Sequence, residues 1–134
     1  MPVSHRPGVL VNILLVDDEL HIRDLLGQFL SEVGHHVSLC ENGQQAWDWL
    51  CDGANRCDVV VADIQMPVMG GRELLRRIRE SDLGVPVVLV SGQINVSEYD
   101  AAFAGATTII YKPFQLRDIL NVLERLETDR TKED

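Results

Sequence analysis

The chain has 134 residues, a formal net charge of −9 and an apolar fraction of 46%. This length predicts one domain with a real hydrophobic core. The acidic charge argues against nucleic acid or an anionic membrane as a direct partner, because both need a basic surface. No stretch has the apolar length of a membrane span or the apolar core of a signal peptide. We therefore predict a cytoplasmic protein.

The first half of the chain predicts an arm followed by two strand–helix units. They are, in order, an N-terminal arm at 1–11, a strand at 12–16, a helix at about 19–33, a strand at 36–40 and a helix at about 43–51. Gly34 is a natural stop for the first helix. Helical spacing predicts a buried face on that helix: Ile22, Leu25, Leu26, Phe29, Leu30 and Val33. On the second helix, Trp49 is predicted at the surface, and the histidines, including His35, are predicted to be surface residues.

The second half predicts three more strand–helix units and a tail. They are a strand at 59–62, a helix that carries Leu74, Leu75 and Ile78, a strand at 87–90, a weaker helix at about 96–104, a strand at 109–111, a helix at about 115–126 and a polar tail or linker at 127–134. Five strands alternating with five helices predict an α/β domain at 12–126 with a doubly wound parallel sheet. In the flavodoxin-like order 2-1-3-4-5, ligands bind where strands 1 and 3 flank the reversal of strand order.

Four of the strand-like runs end in residues that can carry chemistry. The first ends in Asp17 and Asp18, the third in Asp63, the fourth in Ser91 and the fifth in Lys112. Because the carboxyl ends of parallel strands meet at one edge of the sheet, these residues are predicted to form one cluster.

Three neighbouring carboxylates repel one another unless a cation intervenes, and one lysine cannot neutralise all three. Mg²⁺ suits such a set of oxygen ligands. Asp18 and Asp63 are the predicted direct ligands, Gln65 contributes its carbonyl, and Asp17 binds through water. A carboxylate beside Mg²⁺ can also attack a phosphoryl group, whose oxygens the Ser91 hydroxyl and the Lys112 ammonium would hold.

From Asn12 to about Leu126 the chain resembles the receiver domain of two-component response regulators. Four landmarks carry the resemblance, each at a strand end: Val16-Asp17-Asp18-Glu19, Asp63-Ile64-Gln65-Met66-Pro67 with Gly71, Val90-Ser91-Gly92, and Tyr111-Lys112-Pro113-Phe114. One landmark alone is a weak signal, whereas the four in this order are specific.

The resemblance implies that a sensor histidine kinase or a phosphotransfer domain donates a phosphoryl group to Asp63 with Mg²⁺ bound. It makes Ser91 the switch hydroxyl and Lys112 the phosphate contact, and it implies a cis peptide bond before Pro113. Ile109 stands where many receivers carry an aromatic switch residue. Phosphorylation would then change a partner-binding or dimerisation face made by the fourth predicted helix, the fifth strand and the fifth predicted helix.

Two other readings follow from the same residues. The domain could be an enzyme with an aspartyl nucleophile, a phosphatase or phosphotransferase, although the sequence offers no cap domain and no obvious substrate pocket. It could also be a receiver-like scaffold that works without phosphate, although the full set of site residues argues against that. We expect a signalling domain that catalyses only its own phosphorylation and dephosphorylation, with Mg²⁺ as its cofactor.

Overall fold

The computed structural model describes residues 11–92, 105–106 and 108–133. Its strands are β1 (Asn12–Val16), β2 (His36–Cys40), β3 (Val59–Asp63), β4 (Val87–Ser91) and β5 (Thr108–Tyr111). Its helices are α1 (Leu20–Val33), α2 (Gly43–Cys51), α3 (Gly71–Arg79) and α4 (Leu116–Glu133). Residues 1–10 of the predicted arm at 1–11 and the predicted helix at about 96–104 lie outside the described residues, so α4 is the helix that the sequence predicted as the fifth.

All five strands form one parallel sheet in the order β2-β1-β3-β4-β5. The predicted fold class and strand order are confirmed. Of the three inner strands, β3 and β4 are buried along their whole length and β1 is buried except at Asn12, as expected when helices cover both faces of a parallel sheet. The reversal of strand order lies between β1 and β3, so the carboxyl ends of these two strands open on the crevice where the acids were predicted.

Alternate residues of each strand belong to two different hydrophobic cores, one on each face of the sheet, because successive side chains of a strand point to opposite faces. One face packs against α1 and α4, where Leu30 and Ile119 are among the buried residues. The other packs against α2 and α3, where Ala46 and Leu74 are fully buried. Hydrophobic burial on both faces therefore stabilises the packing of the sheet between two layers of helices.

Several local predictions were wrong. Leu25 of α1 is 59% exposed, so the inward face of this helix is narrower than its apolar spacing indicated. Trp49 is partly buried and packs against the core on the α2 side. His35 is buried, and its Nδ1 accepts a hydrogen bond from the backbone N–H of Val11 at 3.3 Å.

The two ends of the chain differ from the predicted boundaries in detail. Val11, which was assigned to the loose arm, is 6% exposed and belongs to the core beneath α1. α4 continues to Glu133, so residues 127–133 of the predicted tail are helical. Gly34 ends α1 with a φ of 116°, a left-handed conformation that glycine adopts without steric cost. Within the described part of the chain, no helix combines the length and apolarity that crossing a membrane requires.

Candidate functional site

The acidic pair follows β1 directly. Asp17 is buried, and its Oδ1 accepts a hydrogen bond from the backbone N–H of Glu19 at 2.9 Å. Its own N–H donates to the carbonyl of Cys40 at 3.1 Å, which ties the turn to the end of β2. Asp18 and Glu19 are exposed. One acid of the pair is therefore fixed inside the sheet edge, and the other faces solvent.

Asp63 is the last residue of β3 and is 5% exposed. Its Oδ1 accepts from the backbone N–H of Gln65 at 3.0 Å, and its Oδ2 accepts from Lys112 Nζ at 2.7 Å. A Cβ at Gly71 would lie 2.6 Å from the Asp63 carbonyl oxygen, a distance that no side chain tolerates. Glycine therefore lets α3 begin directly against the strand end that carries Asp63.

Ser91 and Lys112 come from the two neighbouring strands. Ser91 is 1% exposed at the end of β4, and its carbonyl accepts from the backbone N–H of Lys112 at 2.7 Å. The peptide bond between Lys112 and Pro113 is cis. The β4–β5 register pairs Ser91 with Tyr111, so Lys112 leaves the sheet one residue later and reaches back across β4 to Asp63.

One carboxylate oxygen from each of Asp17, Asp18 and Asp63 lies within 4.8 Å of the others. Burial raises the pKa of Asp17 above its usual value; the Glu19 N–H opposes this rise, and the nearby charge of Asp63 adds to it. Burial by itself lowers the pKa of Lys112, but the hydrogen bond and the charge of Asp63 outweigh it, so the net shift is upward. The lysine is therefore a firmly charged ammonium among acids that it does not fully neutralise.

An open cleft of about 570 Å³ gives access to this cluster. Its lining residues are Asp18, Glu19, Asp63, Ile64, Gln65, Met66, Pro67, Gly92 and Lys112. A Cβ at Gly92 would lie 3.8 Å from the nearest Lys112 atom, which is an ordinary contact distance. The cleft leaves room for a phosphoryl group and for water beside the carboxylates.

The donor set fits a hard divalent cation. Three carboxylates converge within metal-ligand reach, the cleft is open to water, and Mg²⁺ favours sites in which carboxylates share its coordination with several waters. Among the described residues that line this cleft, none is a histidine or a cysteine. The arrangement thus suits Mg²⁺ better than a metal that needs nitrogen or sulfur ligands.

The structure brings Asp17, Asp18, Asp63 and Lys112 together, with Ser91 bonded to the backbone of Lys112. Gln65 lines the cleft with its side chain exposed. The other predicted residue, Ile109, is half-buried and packs against the core on the α2 and α3 side rather than in the cleft.

The sequence reading missed Arg23 of α1. This arginine is buried, and its Nη1 donates to the carbonyl of Asp17 at 2.9 Å. A signal for it was present, because Arg23, Leu26 and Leu30 follow the spacing of one helical face. The basic character of the residue hid it among residues expected at the surface.

Comparison with known protein families gives one family match. The model of the response regulator receiver domain matches residues 13–124. The chain is 34% identical over 125 residues to the response regulator MprA of Mycolicibacterium vanbaalenii, covering 92% of this chain and 53% of that protein. It is 32% identical over 120 residues to the DNA-binding transcriptional regulator NtrC of Azospirillum brasilense, covering 89% of this chain and 24% of that protein.

Among solved structures, the chain is similar to the response regulator TrrA of Thermotoga maritima in complex with Mg(2+)-BeF. The two share 28% sequence identity and superpose with a TM-score of 0.77, over 87% of this chain and 99% of that chain. The chain spans about half the length of MprA and about a quarter of NtrC. The matched region therefore corresponds to only a part of each of these two regulators.

Proposed function

This chain belongs to the response regulator receiver domain family, and from that premise we propose that it is a signalling switch phosphorylated on Asp63. As a receiver domain it acts in phosphorylation-dependent signalling and is not a classical enzyme. The observation that carries the choice of residue is the position of the Asp63 carboxylate. It lies at the floor of the cleft, within 4.8 Å of the acidic pair and 2.7 Å from Lys112 Nζ.

The chemistry follows from the two oxygens of Asp63. One oxygen is oriented by the Gln65 N–H and the other by the Lys112 ammonium. In transfer from a phosphohistidine, an Asp63 oxygen forms a bond to phosphorus while the P–N bond breaks, and the imidazole nitrogen keeps the electron pair. Lys112 then exchanges its contact with the carboxylate for one with a phosphoryl oxygen, so its charge remains compensated throughout.

Asp17, Asp18, Asp63 and the backbone carbonyl of Gln65 would hold Mg²⁺ in this site. When bound, the ion supplies positive charge that the phosphoryl oxygens require and that Lys112 alone does not provide. The similarity to TrrA, whose structure contains Mg(2+)-BeF, supports this assignment. The raised pKa of Asp17 is consistent with it as well: burial is the main cause, the charge of Asp63 adds to it, and a bound cation would offset both.

The partners are proposed from the same family membership. A sensor histidine kinase or a phosphotransfer domain supplies the phosphoryl group, and the reaction takes place in the cytoplasm. Ser91 turns towards the phosphoryl group, with Ile109 as a possible second switch residue. The signal then reaches a partner-binding or dimerisation face that includes β5 and α4. NtrC is a DNA-binding regulator, and we assign nucleic-acid contact, if the full protein has it, to a region other than this acidic domain.

Labelling with a small phosphodonor tests the proposal. Incubation with acetyl phosphate and Mg²⁺ should add one phosphoryl group to the wild-type chain, and the adduct should be labile to hydroxylamine, as an acyl phosphate is. The Asp63→Asn variant should remain unlabelled, because an amide is a poor nucleophile. Asp82→Asn, which changes an exposed acid beyond the other end of the sheet, should label like the wild type. Full labelling of Asp63→Asn would contradict the proposal.

A further inference from the structure

Arg23 places a charged group on the buried face of α1. Its residue exposure is 9%, and no ion pair to Arg23 is found among the described residues. Buried arginines are almost always paired, because moving an unpaired charge out of water costs several kcal/mol. Its side chain instead donates to one backbone carbonyl, that of Asp17. A position that keeps such a charge needs a reason beyond packing.

The carbonyl that Arg23 binds belongs to the peptide group between Asp17 and Asp18. This peptide plane determines where the chain places Asp18 relative to Asp17, since a peptide group is rigid and planar. On the other side of Asp17, its N–H is bonded to Cys40. The backbone of Asp17 is thus held at both polar groups, once by a neighbouring strand and once by a side chain of α1.

We propose that Arg23 is a positioning residue for the acidic pair: by holding the Asp17 carbonyl, it sets the geometry with which Asp17 and Asp18 meet a divalent cation. This inference rests on the proposed function, because it assumes that the pair binds Mg²⁺. Groups that orient metal ligands without touching the metal typically change metal affinity 10–100-fold when they are removed. The guanidinium suits this task because its planar donors point in fixed directions, whereas an ammonium rotates freely.

Magnesium titration of purified variants tests the role of Arg23. Arg23→Met keeps the length and apolar stem but removes the donor, and it should weaken Mg²⁺ binding, measured by calorimetry, by roughly tenfold or more. Arg23→Lys, which keeps a charge and a donor, should fall between Arg23→Met and the wild type. The matched control is Leu26→Val on the same buried face of α1, which should lower the urea midpoint of unfolding and leave Mg²⁺ affinity unchanged.

The outcomes separate this inference from the proposed function. If the wild type binds Mg²⁺ and Arg23→Met is folded with the same affinity, the role of Arg23 is overturned and the proposed function stands. If the wild type binds no Mg²⁺, both are overturned. If neither Arg23 variant folds, NMR of the wild-type Arg23 guanidinium decides. Its Nη signals should shift and their rotation should slow when Mg²⁺ saturates the site, and signals that ignore Mg²⁺ would overturn the proposal.

Discussion

The strand β3 carries one acid at each end, and the two acids are treated in opposite ways. Asp58, just before the strand, accepts hydrogen bonds at its Oδ2 from the backbone N–H and the side-chain amide of Asn12, at 2.7 and 3.1 Å. Its own N–H returns a bond to the Asn12 carbonyl at 2.7 Å. Asp63, at the other end, lies among two further carboxylates and one lysine. Asp58 thus accepts two hydrogen bonds from one neighbouring residue, whereas Asp63 lies among charges of both signs.

This difference separates the edge of the sheet at Asp58, which contributes to the stability of the fold, from the edge at Asp63, where we propose phosphorylation. The Asp58 end joins β1 to β3 through reciprocal hydrogen bonds between half-buried polar groups. At the Asp63 end, the ionised form of Asp17 is destabilised: burial and the charge of Asp63 both raise the pKa of Asp17. Proteins tolerate such local frustration mainly where function requires it.

Backbone strain follows the same division. Val68, in the loop after Asp63, has a φ of 67° and is the only non-glycine residue with a positive φ within the described ranges. The N–H of Met69 donates to the carbonyl of Pro67 at 2.7 Å and closes a tight three-residue turn around it. Side chains branched at Cβ are poorly suited to this conformation. The loop after Asp63 therefore holds backbone strain that no described non-glycine residue at the opposite edge of the sheet shows.

The largest expected effect on stability comes from removing the hydrogen bonds between Asp58 and Asn12. Asp58→Ala should lower the free energy of unfolding by about 1 kcal/mol, because it leaves the half-buried donors of Asn12 without their acceptor. Urea unfolding measures the loss, and labelling by acetyl phosphate should persist in the folded variant. Asp63→Asn should show the reverse pattern, with labelling lost. Equal stability of Asp58→Ala and the wild type would mean that the hydrogen bonds between Asp58 and Asn12 do not stabilise the pairing of β1 with β3.

An effect of at most the same size, and of opposite sign, is expected from relieving the strained loop. Val68→Asn should raise the free energy of unfolding by roughly 1 kcal/mol, because asparagine tolerates a left-handed backbone that costs other residues about that much. Val68→Ala keeps a Cβ and should recover less. Urea midpoints of the two variants beside the wild type make the measurement. A destabilised Val68→Asn would show that the exposed valine contributes a contact worth more than the strain.

The smallest effect on stability at neutral pH is expected at Cys57, which precedes Asp58 in the chain. Burial raises the pKa of this thiol to about 12, and hydrogen bonding with the backbone of Val59 and Leu14 partly offsets the rise. Cys57 should therefore react with iodoacetamide far more slowly than the exposed Cys51. Peptide mass spectrometry after brief alkylation at pH 8 compares the two sites.

The same shift sets a pH dependence of stability. The folded-state pKa of Cys57 lies above the ordinary value of 9.0, so the folded state binds the thiol proton more tightly than the unfolded state does. The contribution of Cys57 to stability is fully present below pH 9 and is lost progressively as the pH rises from 9 towards 12. Cys57→Ser should flatten this alkaline decline. Cys57 alkylation as fast as that of Cys51 would contradict the shift.

The sequence by itself predicted the fold class and the strand order, which the structure confirms, and it predicted which residues meet at one edge of the sheet. Short apolar runs and helical spacing are local patterns that report secondary structure directly. Parallel topology then forces the ends of β1, β3, β4 and β5 to one edge, so Asp17, Asp18, Asp63, Ser91 and Lys112 could be placed there without coordinates.

Only the tertiary structure decided which polar residues are buried and what they bind. The sequence analysis predicted His35 at the surface and did not single out Arg23 or Asp58. His35 and Asp58 nevertheless form hydrogen bonds with segments distant in the chain, and Arg23 bonds to the turn that carries the acidic pair. Leu25 and Trp49 were assigned to the wrong environment because helical spacing gives a face but not its exact rotation against the sheet. The physical reason is the same in each case: the cost of burying a polar group depends on partners from other segments, and no local pattern specifies them.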